Sequence, residues 1–181
     1  LFTGDGAALE LGTRHAAHMA QLVGPYSRFG WNHPGPACFY LALPFYTLFD
    51  QRGPALNLFV FCANLVSALF VVMSAHRLRG DVFALAVAAL LAAYELVAVP
   101  ALLANEWNPI FPILPLLLSY FLALRLAMGE MAVLPAFAGV ASVVVQTHVG
   151  FAPAVLALCG IIWVSWRRLQ PGVRNPMRDV A

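Results

Sequence analysis

The chain is 181 residues long, 62% hydrophobic and only 10% charged, with a formal net charge of +2. A soluble domain carries about a quarter charged residues, so this composition argues against a water-exposed globular fold and predicts an integral membrane protein. So small a net charge gives no electrostatic footprint for nucleic acid.

Residues 1–36 read as a loop region with an amphipathic helix inside it. From about Ala7 to Leu22 the pattern is helical, with Leu9, Ala16, Met19 and Ala20 on one side. Glu10 and Arg14 are four apart and pair on the other side. Such a helix lies in the membrane interface rather than crossing it. His15 and His18 either share a ligand or form polar surface. Asp5 stands between Gly4 and Gly6, where the backbone is free to bend toward a substrate. The competing role for Asp5 is a cap on the following helix.

Residues 24–36 read Gly-Pro-Tyr-Ser-Arg-Phe-Gly-Trp-Asn-His-Pro-Gly-Pro. They set Arg28, Asn32 and His33 among Tyr26, Phe29 and Trp31. Pro25, Pro34 and Pro36 forbid a helix, because each lacks a donor and restricts the residue before it. The stretch is therefore a shaped loop without a regular element, serving as a site or as an aromatic cap at headgroup depth.

Residues 37–49 are apolar but contain Pro44 and fall short of the roughly 20 needed to span hydrocarbon. A polar turn at 50–53 leads to a full-length span, 55–75, and then to a basic loop with His76, Arg77 and Arg79. The next span, 82–104, carries Glu95, which at that depth faces a partner or a wet cavity, or sits near the surface. Asn105, Glu106, Trp107, Asn108 and Pro109 form a polar loop. A proline-broken span, 110–124, ends at Arg125, with Glu130 in the loop after it. Two further apolar runs, 131–145 and 151–166, flank Gln146, Thr147, His148 and Gly150. Arg167 and Arg168 stop the last one. Cys38, Cys62 and Cys159 have no metal-ligand spacing. The expected fold is all-α, a polytopic transmembrane helical bundle over 37–168, preceded by the 1–36 loop with its interfacial helix and followed by a tail, 169–181. Because the chain opens on polar loop at Leu1, a further membrane helix is expected upstream.

Cationic loops stay on the cytoplasmic side. That puts Arg77, Arg79, Arg125, Arg167 and Arg168 inside, and Trp107 and His148 outside. If 37–49 crosses, His33 lands inside; if it is re-entrant or interfacial, His33 joins Trp107 and His148.

Asp5 in a Gly-Asp-Gly context, His33-Pro34-Gly35-Pro36 leading to Tyr40, Trp107-Asn108-Pro109 with Pro115, and Gln146-Thr147-His148 together resemble the core of GT-C glycosyltransferases. The likeness is to the bacterial branch near the aminoarabinose and protein mannosyl transferases. It implies a multi-pass protein of the bacterial inner membrane that takes a sugar from a polyprenyl-phosphate donor on the exoplasmic face. The acceptor is a hydroxyl of a glycan, lipid or protein. It further implies that Asp5 is the acidic residue of the first exoplasmic loop. Gly6 stands where many members carry a second acid, and Glu10 is the nearest substitute.

Inverting transfer fits this set: a carboxylate takes the acceptor's proton as its oxygen attacks the anomeric carbon. Arg28, with its two-pronged guanidinium, is the expected contact to the leaving phosphate, and His33 stands near it. Tyr26, Phe29 and Trp31 either pack against sugar or isoprenoid or anchor in the membrane. Asn32, Trp107, Asn108, Gln146 and His148 complete the expected binding set. A divalent ion near Asp5, His33 or His148 is compatible with the pattern, but no ligand spacing demands one. The alternative class is a transporter or scaffold subunit, with Glu95 and the broken helices lining a path.

Overall fold

Proline and glycine set where the apolar runs become helices. The computed structural model describes residues 4–27, 29–97 and 102–169, and their side chains except those of Asp5 and Leu102. Within these, the chain forms α1 (Asp5–Ala17), β1 (Tyr26–Ser27), β2 (Trp31–Asn32), α2 (Ala37–Leu48), α3 (Pro54–Arg79), α4 (Asp81–Val97), α5 (Ile113–Ala127), α6 (Leu134–Thr147) and α7 (Ala152–Leu169). Pro54 opens α3 at a position whose missing donor costs nothing, and Gly80 ends it at φ 78°. That single glycine is the whole connection to α4.

The fold is mostly helical, and its helices pack as two storeys joined by α3. Near the hairpin, Leu9 and Ala16 of α1, Phe39, Ala42 and Tyr46 of α2, and Leu56, Phe59 and Val60 of α3 share one core with Phe111. Further along, Val71 of α3 joins Leu118, Leu122 and Leu126 of α5, Phe137 and Val144 of α6, and Val155 and Leu158 of α7. Gly12 lets α1 lie close on α2, since a Cβ there would stand 2.3 Å from the Phe39 ring. Glu10 accepts from Tyr46 Oη at 2.8 Å and pairs with Arg14 at 2.6 Å, which ties the same two helices.

Several boundaries differ from the sequence reading. α1 stops at Ala17 because Met19 takes a left-handed φ of 56°, so Met19 and Ala20 lie past the helix and are exposed. The 24–36 stretch does contain a regular element: Tyr26 pairs with Asn32 and Ser27 with Trp31, antiparallel, around Gly30 at φ 87°. His76, Arg77 and Arg79 belong to the last turn of α3 rather than to a loop. The 82–104 run is not one helix. The chain returns after α4, so that the Leu103 amide donates to the Glu95 carboxylate at 3.2 Å and the Leu103 carbonyl accepts from Asn64 at 3.2 Å. The tail from residue 170 lies outside the described residues.

α2 begins beside Gln146, whose Oε1 accepts the Ala37 amide at 3.3 Å. It ends in a reversal through Asp50 and Gln51, both at positive φ, and α3 starts at the same end of the molecule, where Asn57 bonds Glu106. Twelve helical residues reach only about 18 Å, against a hydrocarbon core of about 30 Å. At the opposite end, Arg125 joins Ser74 at 3.2 Å and Glu130 at 2.8 Å, while His76 meets Asp81 at 2.9 Å.

Two helical stretches among the described residues are long and apolar enough to cross a membrane, Pro54–Arg79 and Val149–Leu169. Large apolar side chains face outward along the second, including Leu156 at 70% and Trp163 at 52% exposure.

The α1–α2 contact sets the first test. Gly12→Val is expected to lower stability by about 1–3 kcal/mol through overpacking against Phe39. Gly160→Ala, where a Cβ meets open space on α7, is expected to hold or gain about 0.5–1 kcal/mol. Thermal unfolding of the detergent-solubilised variants reads both.

Candidate functional site

His148 decides the local geometry. Its backbone leaves the helix at φ −150°, ψ 107°, so α6 ends there and the Val149 amide is released from the helical ladder. That amide donates to Nδ1 of His33 at 3.1 Å. The hairpin is closed at its base by Gly24 N–H to the His33 carbonyl and His33 N–H to the Pro25 carbonyl, each 2.9 Å. Two glycines let it sit flush on α6. A Cβ at Gly24 would come within 2.7 Å of the Gln146 and Gly35 carbonyl oxygens, and one at Gly35 within 2.3 Å of Gln146 Oε1. Gln146 is held in turn by donating to Ser142 at 2.8 Å.

From the other side comes the segment after α4. Trp107 N–H donates to Asn105 Oδ1 at 3.0 Å, and the Trp107 carbonyl accepts from Ile110 and Phe111. This turn presents Trp107, Asn108 and Pro109 to the hairpin. Together with Tyr26, Ser27, Phe29, His33 and His148 they line a cavity of about 470 Å³. Its described lining holds aromatic rings, a hydroxyl, an amide and two imidazoles, and no formally charged side chain.

The imidazoles are neutral at neutral pH. Burial pushes His33 below its ordinary value, and neighbouring His148 pushes it the same way. Burial also lowers His148. The two rings stand 4.6 Å apart between centroids, in a row that continues to Trp31 at 4.8 Å and Phe151 at 5.4 Å.

Six of the residues singled out from sequence, Tyr26, Phe29, His33, Trp107, Asn108 and His148, meet at this cavity although they come from three distant segments. Trp31 packs edge-on behind His33, and Asn32 is exposed on β2. Gln146 supports the hairpin from beneath. Glu10 is engaged with Arg14 and Tyr46 and does not line the cavity. His15 and His18 are exposed. Arg28 and the Asp5 side chain lie outside the described residues, though the Asp5 backbone starts α1. Among the described residues no three His, Cys, Asp or Glu side chains converge to hold a metal. The sequence reading passed over Ser27 and Pro109 as lining residues. It also missed a small space lined by Tyr26, Asn108, Glu106, Phe59 and Phe111, which adjoins the cavity. Phe59 and Phe111 in turn border an apolar groove of about 620 Å³ between α2, α3, α5 and α6.

Cysteines replacing His33 and His148 are expected to be bridged by a short thiol cross-linker. Adding Gly24→Ala, which pushes the hairpin off the Gln146 carbonyl, is expected to slow that bridging about tenfold. Mass spectrometry of the linked peptides gives the rate.

No family model matches the chain, and no similar curated protein or solved structure was found, so the functional reading rests on residues and geometry.

Proposed function

We propose that the chain is the membrane-embedded part of a GT-C-type glycosyltransferase, moving a sugar from a polyprenyl-phosphate donor to an acceptor hydroxyl with inversion. The observation that carries this reading is the pairing of two spaces. A cavity walled by aromatic and neutral polar groups shares Tyr26 and Asn108 with a small space, and that space shares Phe59 and Phe111 with the apolar groove. Aromatic faces with hydroxyl, amide and imidazole groups suit the faces and hydroxyls of a sugar. The groove is lined almost wholly by apolar side chains, which suits an isoprenoid chain.

In this reading Asp5 takes the proton of the acceptor hydroxyl as its oxygen bonds the anomeric carbon. The bond from that carbon to the phosphate oxygen breaks, and the lipid phosphate leaves with the electron pair, met by Arg28. Trp107, Tyr26 and Asn108 orient the sugar, and the neutral histidines donate or accept hydrogen bonds without attracting the phosphate into the sugar cavity.

The reading also takes the protein to be a multi-pass component of the bacterial inner membrane, with the hairpin end exoplasmic and the arginine end cytoplasmic. The outward apolar surfaces of α3, α4 and α7 support immersion, since a soluble monomer rarely exposes a contiguous apolar patch above a few hundred Å². The clustering of Arg77, Arg125 and Glu130 at the end opposite His33 supports that orientation. A transporter or scaffold would lean on Glu95, yet that carboxylate already accepts the Leu103 amide.

Two measurements test this. Asp5→Asn, in the complete reading frame, is expected to keep the fold and lose about 100- to 10,000-fold in transfer from a lipid-phosphate sugar, as removal of a general base does. Arg28→Lys keeps the charge but loses the fork, and is expected to raise KM for the donor more than it lowers stability. A stable Asp5→Asn protein with near wild-type turnover overturns the base assignment. Separately, a cysteine at exposed position 32 is expected to react with an impermeant thiol reagent in intact cells, and one at position 168 only after permeabilisation.

A further inference from the structure

The bond between His33 and the Val149 amide is at once the tie that docks the hairpin and a wall of the cavity. His33 is 2% exposed. Because its Nδ1 accepts a hydrogen bond, its own proton sits on Nε2 and the ring is neutral. Beside it, Nδ1 of His148 is buried without a partner among the described residues, with Gly150 closing over it so tightly that a Cβ there would lie 2.9 Å away.

We propose that His33 and His148 form a pH-sensitive latch, in which a proton gained at His33 Nδ1 releases the hairpin from the α6–α7 joint and opens the cavity. The inference concerns access to the cavity and holds whatever molecule occupies it.

Protonated His33 would set an N–H against the Val149 N–H, turning a bond into two facing donors in a buried place. Among the described residues the surroundings offer no relief. From the end of α6 the facing titratable group is His148, itself cationic when protonated, with ring centroids 4.6 Å apart. From β1 it is the Tyr26 phenol, across the cavity. β2 contributes the uncharged Trp31, and the segment after α4 contributes Trp107 and Asn108. The nearest carboxylate on that segment, Glu106, is bonded to Asn57 and lines the adjoining space instead.

The sign of the pH effect follows. Docking holds the His33 pKa below its ordinary 6.5, so the undocked form binds more protons. The docked state is therefore fully favoured above the ordinary value and is lost as pH falls from there toward the lowered docked value. The remaining ties, from Gln146 to Ala37 and the close approach at Gly24 and Gly35, do not titrate. They leave the hairpin attached at its base while its histidine edge comes free.

The test uses spin labels on cysteines at Asn32, exposed on β2, and Thr47, exposed on α2, with Cys62→Ser and Cys159→Ser, in lipid nanodiscs. Double electron–electron resonance is expected to show one distance at about pH 8, and a second, longer population several-fold larger at about pH 5. His33→Asn offers an acceptor oxygen near the Nδ1 position and cannot gain the proton, so it is expected to keep one distance at both. His148→Phe keeps a ring in the row and removes the neighbouring charge, so its longer population at low pH is expected to be smaller than in wild type. The proposal is overturned by a wild-type distance that does not change with pH, by an equal change in His33→Asn, or by an unaltered change in His148→Phe.

Discussion

A single hydrogen bond across 116 residues of sequence, from the Val149 amide to Nδ1 of His33, organises the hairpin end of this molecule. It exists because two local rules meet. His148 adopts an extended backbone and frees the amide after it, and Pro34 and Pro36 hold the chain out of helix so that His33 can reach. Without the glycines at 24 and 35 the backbones could not come close enough for it to form. Everything that lines the cavity is then placed relative to that joint: Tyr26 and Ser27 by pairing within the hairpin, His148 by the helix end, and Trp107 to Pro109 by their turn against it.

α3 links this joint to the rest. Its first turns pack with α1 and α2 under the hairpin, and its later turns join the core of α5, α6 and α7. Polar side chains buried along α3 are satisfied locally rather than gathered into a path. Ser67 donates to the Ala63 carbonyl, Asn64 donates to the Leu103 carbonyl, and Ser74 accepts from Arg125. The result is an apolar middle with polar groups sorted to two ends. That sorting is what a bilayer demands of a protein whose outer helix faces are apolar.

Much of this was legible from residues alone, for reasons that can be named. Runs of apolar residues bounded by proline, glycine and arginine mark helices whatever they pack against, so the existence of α2 to α7 follows from composition. The cavity residues stood out because polar side chains are scarce in so apolar a chain, and scarcity draws attention to Asn108 and His148 at once. What remained hidden depended on contacts far apart in sequence. Glu10 reads as an acid paired only with Arg14 until Tyr46, on another helix, is seen to donate to it. Glu95 reads as a membrane-depth carboxylate until the chain folds back and brings the Leu103 amide to it. The hairpin was hidden for a different reason: two residues per strand are too few to show alternation, and only the turn at Gly30 makes the pairing visible.

The short helix α2 bears on an ambiguity that counting charges leaves open. Whether His33 shares a side with Trp107 and His148 turns on whether residues 37–49 cross, and arginine positions are silent there. Asp50 and Gln51 take consecutive left-handed conformations that reverse the chain within a few residues. α3 therefore starts back beside Glu106, at the end where α2 began beside Gln146. The cavity lies at the same end as the start of α1 and the hairpin turn at Gly30. The described cavity walls offer rings and hydrogen-bonding groups and no formally charged side chain. A buried cation in place of His33 would pay desolvation without a compensating carboxylate among the described lining residues, a setting that suits imidazoles held neutral.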